Sequence, residues 1–157
     1  MEFSSEEMSC HNNNSLYQAL GIVVEEAKEG KARAKLSPKP AFCWPFEGQP
    51  HGGILFTLMD TTMAWAVLTG LEQGHNCATI NLDIQYTKRA GGDILTCQAW
   101  VTHQATRIVY VRADILDGEG ELTAAGQGAF KAIKAPLLSV QFKKTQFNHY
   151  NKGRINP

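Results

Sequence analysis

Downstream of position 77 apolar and polar side chains alternate with a period of two, in runs over 77–87, 93–104, 107–117 and 121–133, which predicts four β-strands. Turn residues separate them: Arg89-Ala90-Gly91-Gly92-Asp93, Gln104-Ala105-Thr106 and Asp117-Gly118-Glu119-Gly120. Connections this short predict an antiparallel meander. Gly118, Gly126 and Gly128 fall in its turns and strands and predict bulges in a curved sheet.

A different pattern precedes the strands. The segment 54–71, ILFTLMDTTMAWAVLTGL, holds one charge, Asp60, and its good helix formers predict a helix of about 17 residues closed by Gly70. At 100° per residue its apolar groups surround the axis, which marks a helix buried on most sides. The only polar stripe is Thr57, Asp60, Thr61 and Ala64. Further upstream, Leu16–Glu26 and Lys31–Leu36 predict two short strands around the turn Lys28-Glu29-Gly30. Ser37–Pro50 contains Pro38, Pro40, Pro45 and Pro50 and reads as a loop, because proline cannot donate to a ladder. Residues 1–15 are polar, with Asn12-Asn13-Asn14, and are expected to be a flexible lead-in. Residues 136–157 form a basic, polar tail to which the pattern assigns no structure. The sum is one α+β domain over 16–135, a single antiparallel sheet wrapped around one long central helix.

Composition narrows the function. The 157 residues suit one domain, and 15 basic against 15 acidic residues remove the broad basic field of a dedicated nucleic-acid binder. No nucleic-acid partner is expected. The apolar segment is near the lower length for a membrane span, but a carboxylate at its middle and four threonines favour a soluble core helix, so no membrane association is expected either. Cys10, Cys43, Cys77 and Cys97 are widely spaced, and the N-terminus carries no secretory pattern, which points to reduced thiols and a cytoplasmic setting. His75 and Cys77 are the one close pair of ligand type, so no metal is expected. GxGxxG, P-loop, GxSxG and HExxH patterns are absent, which sets aside nucleotide folds, serine hydrolases and zinc proteases.

Candidate chemistry concentrates around the helix. An ionised carboxylate on so apolar a helix must find partners or shift its pKa, because desolvating it costs several kcal/mol. Asp60 is therefore either bonded to Thr61 or a neighbouring strand or pointing out at an exposed stripe, or else a base or nucleophile in a poorly solvated pocket. Just before the helix stands His51-Gly52-Gly53. Glycines there let a ligand approach closely, and the first helical N–H groups, unpartnered and at the positive end of the dipole, can hold a negative oxygen. Taken alone, such a pair of glycines is equally a simple turn and His51 equally a capping residue. Asp60 lies seven residues past Gly53, about 10 Å along the axis, so the two reach one carbonyl carbon only if they come from different chains. That arrangement requires a homodimer with two identical sites.

The run His51-Gly52-Gly53-x6-Asp60, followed by strands beginning near Ala78-Thr79-Ile80 and a turn with Gly91-Gly92-Asp93, resembles the PaaI-like hotdog thioesterases of the acyl-CoA type over about residues 16–133. The resemblance implies the hotdog fold, self-association as a dimer or a dimer of dimers, and metal-independent hydrolysis of acyl-CoA, with no cofactor, since coenzyme A is part of the substrate. It implies that the Gly53 N–H polarises the thioester carbonyl and that Asp60 of the partner chain is base or nucleophile. His51 would lie near the sulfur or position its loop, and Thr79 would help hold the attacking water. Relatives carry an asparagine six residues before the histidine, where this chain has Pro45; Gln49 is the nearest amide that could substitute. Gly52, Lys88, Arg89 and Arg107 are candidates to bind the coenzyme A portion, and Trp44, with Phe46, Phe56 and Trp65, to line an acyl tunnel. The alternative is a non-catalytic acyl-thioester or acyl-carrier binding module on the same scaffold.

Overall fold

A computed structural model of the chain describes residues 3–46 and 48–134. In order these form α1 (Ser5–Asn12), α2 (Ser15–Leu20), β1 (Ile22–Lys28), β2 (Lys31–Leu36), a 3-10 turn at Pro40–Phe42, α3 (Gly52–Thr69), β3 (His75–Tyr86), β4 (Leu95–Gln104), β5 (Ile108–Leu116) and β6 (Leu122–Lys134). The tail 136–157 lies outside the described residues. All six strands join one antiparallel sheet that curls around α3, the hotdog arrangement.

Helix α3 could pass for a membrane span by length and composition, but 61% of that span is buried against the sheet. Leu58, Met59, Thr62, Met63 and Ala66 are wholly inaccessible. Met59 and Met63 stand one turn apart and lie over Gly126 and Gly128 of β6. A Cβ built on Gly126 would come 2.4 Å from Met59 Sδ and 2.7 Å from the Asp83 carbonyl oxygen; one on Gly128 would come 3.0 Å from the Asn81 oxygen. These glycines are not the expected bulges. The ladder runs regularly through them, Leu82 opposite Gly128 and Ile84 opposite Gly126, and their lack of a side chain lets helix and sheet approach.

The strand order β1-β2-β4-β5-β6-β3 departs from a simple meander. Strands β4, β5 and β6 are the meander, whereas β3 crosses to the far edge and pairs with β6. The eight residues 87–94 between β3 and β4 can span about 26 Å when extended, while β3 and β4 sit three strand spacings apart, about 14 Å. A connector of that length permits either topology. The crossover leaves β3 with an open edge, and Ala78, Thr79, Ile80 and Asn81 are all exposed on it.

The N-terminal expectations also change. Residues 5–12 are not a loose lead-in but a helix closed by a capping box: the Glu7 N–H donates to Ser4 Oγ (3.2 Å) and the Ser4 N–H to Glu7 Oε2 (2.9 Å). The strand expected from Leu16 begins only at Ile22. Residues 15–20 are helical, capped by the Asn14 side chain accepting the Tyr17 N–H, and end at Gly21, where φ is +82° and a Cβ would meet the Ser37 oxygen at 2.3 Å. These two helices cover Trp65 of α3. The Phe3 and His11 rings meet its indole edge-on, with centroids 4.9 and 5.1 Å away.

Candidate active site

The approach to α3 is built from the proline-rich loop. Cys43 and Pro50 form a bridge, the Trp44 N–H donates to the Gln49 oxygen (2.8 Å), and the His51 N–H to the Phe42 oxygen (3.0 Å). His51 caps the helix: its Nδ1 accepts the Gly53 N–H at 3.0 Å, so the ring proton sits on Nε2. The imidazole also packs on Trp44, centroids 5.1 Å apart, and Trp44 on Phe46 at 6.1 Å.

This capping decides which N–H stays open at the start of the helix. The Gly53 N–H is taken by His51, and the Ile54 N–H by the His51 carbonyl at 2.8 Å. The Gly52 N–H has no partner among the described residues and is the open donor at this helix end. Each glycine has its own steric reason. A Cβ on Gly52 would press on the Tyr86 ring at 3.2 Å, and one on Gly53 would meet His51 Nδ1 at 3.0 Å. Tyr86 in turn donates its hydroxyl to the Gly52 carbonyl (2.8 Å), tying the start of α3 to the end of β3.

Two turns along, Asp60 is half-buried and accepts the Thr79 hydroxyl on Oδ1 at 2.8 Å, leaving Oδ2 open. Of the surroundings open to this carboxylate, it has a bond to a neighbouring strand, through one oxygen only. Its surroundings are otherwise sparing in polar groups. Burial, and secondarily the charge of Asp60, push the Cys77 thiol up to about 12. Burial also raises the Tyr17 phenol, whose oxygen accepts the Trp65 indole N–H at 3.2 Å and lies beside Thr61. A protonated thiol and a protonated phenol thus stand beside the Asp60 carboxylate.

The remaining candidates do not gather at one place. Gln49 is half-buried, with its backbone oxygen accepting the Trp44 N–H. Lys88 closes the β5–β6 turn by pairing with Asp117 (2.8 Å) and with Glu121; both carboxylates raise its pKa, so it is occupied and not a free phosphate ligand. Arg89 is exposed next to it. Arg107 stands at the opposite end of α3, with Gly70 and Leu71. Trp65 is buried under the N-terminal helices rather than in a tunnel, whereas Trp44 is 40% exposed beside His51. Tyr17 and Tyr86 are not among the candidates from the sequence, and Cys77 enters there only as a thiol close to His75. Nothing local in the chain signals them, since each joins the site through tertiary packing.

The sequence profile of the thioesterase superfamily matches residues 48–124, the stretch from just before the capping histidine into the start of β6. A candidate esterase of Halobacterium salinarum is 32% identical, the match covering 78% of this chain and 87% of the relative. The PaaI protein of the Escherichia coli phenylacetic acid degradation operon superposes with a TM-score of 0.72 and 26% identity, over 82% of this chain and 91% of that one. A Bacillus halodurans protein solved with CoA superposes with a TM-score of 0.70 and 27% identity, over 82% of each chain. The chain belongs to the thioesterase superfamily. As a member it is a thioester hydrolase with the hotdog fold.

Proposed function

We propose that this chain hydrolyses acyl-CoA thioesters to free acid and coenzyme A, in a site completed by a second copy of itself. The observation that carries the reading is the position of two half-sites on one helix. The Gly52 N–H and the Asp60 carboxylate are eight residues apart, about 12 Å, too far to serve one carbonyl within a chain. The open edge of β3 supplies the remedy. Gly52 is level with Tyr86 and Asp60 with Thr79, through their hydrogen bonds, so a two-fold axis midway between 79 and 86 on antiparallel β3 edges sets Gly52 of one subunit opposite Asp60 of the partner subunit. The CoA found with the Bacillus halodurans protein of this fold supports the substrate class. The unpaired thiols of Cys10, Cys43, Cys77 and Cys97 support a reducing, cytoplasmic setting.

In this site the thioester oxygen lies on the Gly52 N–H, at the positive end of α3. Asp60 Oδ2 takes a proton from water as the water oxygen bonds to the carbonyl carbon; Thr79 holds Oδ1 and fixes the carboxylate plane. The tetrahedral oxyanion then re-forms its C=O bond, the C–S bond breaks, and the leaving sulfur takes the proton from Asp60. General-base action of this kind contributes about 10²- to 10⁴-fold. His51 fixes the helix entry and leaves Gly52 as the donor.

The test is thiol release across short, long and aromatic acyl-CoAs, with Asp60→Asn beside the wild type. The expected result is turnover of one class and a loss of at least a hundredfold in a folded Asp60→Asn protein. A wild type that releases no thiol from any member of the panel would make the acyl-thioester binding module the better account, and an equally active Asp60→Asn would overturn Asp60 as the base.

A further inference from the structure

The open Gly52 N–H belongs to the peptide between His51 and Gly52, which is held at one end: its oxygen accepts the Ile54 N–H at 2.8 Å. The next peptide, between Gly52 and Gly53, is held at both ends. Its N–H donates to His51 Nδ1 at 3.0 Å, and its oxygen accepts the Tyr86 hydroxyl at 2.8 Å. The two planes meet at the Cα of Gly52, where the missing side chain leaves the angle between them free to vary. The Tyr86 ring covers that Cα, since a Cβ on Gly52 would meet it at 3.2 Å. The direction of the open N–H is therefore set from the neighbouring plane, by one histidine and one phenol.

Tyr86 is itself fixed to the sheet. It lies opposite Ala124 of β6; the following N–H, of Thr87, donates to the Thr123 oxygen at 3.0 Å, and the buried Thr123 hydroxyl donates to the Ile115 oxygen of β5 at 3.0 Å. Yet Tyr86 is 51% exposed, so it adds little buried area to the core. Burial raises its phenol above the ordinary value, which keeps the hydroxyl protonated and committed to the Gly52 oxygen.

We infer that Tyr86 is a positioning residue for the hydrolysis: acting through Gly52, its hydroxyl aims the open N–H at the thioester oxygen. The inference rests on the reading of Gly52 as the oxyanion donor. An aligned donor is worth about 10²- to 10³-fold in rate, and a hydrogen bond weakens steeply as its angle closes, so a tilted N–H loses part of that factor. With the two-fold axis midway between 79 and 86, Tyr86 also stands level with Thr79 of the partner subunit. The tie then lies where donor and base come together.

Tyr86→Phe keeps the ring on Gly52 and removes the hydroxyl. The expected result on acyl-CoA is a fall of about tenfold in kcat, with KM changed by less than about twofold and the urea midpoint unaltered. A wild-type kcat overturns the assignment. A variant that loses activity and midpoint together, or fails to fold, overturns it as well, because the phenol is then only a structural tie. The direct readout is the infrared carbonyl stretch of a bound ketone analogue of acyl-CoA, in which a methylene group separates the sulfur from the carbonyl and no thiol can leave. Tyr86→Phe is expected to move this band to higher frequency than in the wild type, as the N–H turns away from the oxygen. Equal bands in the two proteins overturn the role of Tyr86 and leave the thioesterase reading in place. If the wild type cleaves no thioester, the band still decides: a shift supports the role of Tyr86 in a site that binds without turnover, and equal bands overturn it.

Discussion

The two long sides of α3 carry similar residues and use them in opposite ways. On the sheet side Met59 and Met63 sit against Gly126 and Gly128, and Thr62, wholly inaccessible, donates to the Leu58 carbonyl at 2.7 Å. Nothing there waits for a partner. On the other side Thr57, Asp60 and Ala64 are half-buried, Asp60 has one carboxylate oxygen held by an edge strand, and the helix start keeps an open N–H. A side completed within the chain is a packing surface. A side whose polar groups are half-satisfied beside an open β-edge is where the proposed chemistry and the proposed second subunit fall.

Breaking the packed side gives the largest effect on stability. Gly126→Ala places a methyl group 2.7 Å from the Asp83 carbonyl oxygen as well as on Met59 Sδ; the thioether can rotate away, but the backbone oxygen cannot. The expected cost is about 3 kcal/mol, at the upper end for overpacked sites, read as a lower urea midpoint with unchanged slope. A midpoint equal to that of the wild type would mean that helix and sheet are not in close contact at Gly126.

Breaking the open side gives the reverse signature. Thr79→Val keeps the β-branched shape and removes the hydroxyl that holds Asp60 Oδ1. The expected result is about a tenfold fall in kcat/KM, or ~1.4 kcal/mol, with stability changed by less than about 0.5 kcal/mol. A variant with unaltered kinetics would show that Thr79 does not orient the carboxylate. A variant that loses stability as well would blur the distinction between the two sides.

This contrast also marks how far the sequence could be read. Helix α3, its capping histidine and the exceptional Asp60 are legible because each is a local pattern: an apolar run, two glycines at its start and one charge where charge is costly. The place of β3 is not, since an eight-residue connector fits both a hairpin and a crossover. The open N–H falls on Gly52 rather than Gly53 because of where the His51 ring points, and side-chain direction leaves no mark in the spacing. Tyr17 reaches Trp65 across 48 positions, beyond the range of any periodic signal.

The smallest expected effect lies at a local signal near the N-terminus. Ser4 and Glu7 spell a capping box three residues apart, and the polar composition around them outweighed it. The helix they start is too short and polar to stand alone; it holds because Phe3 and His11 pack on Trp65, one turn and a residue beyond Asp60. Ser4→Ala removes the acceptor of the Glu7 N–H and is expected to cost about 1 kcal/mol. The loss should appear first as faster amide exchange in residues 5–12, with exchange in α3 unchanged. If α3 exchanges faster as well, the N-terminal helix is part of what holds the open side of α3 in place. The two sides would then differ less in stability than in what completes them.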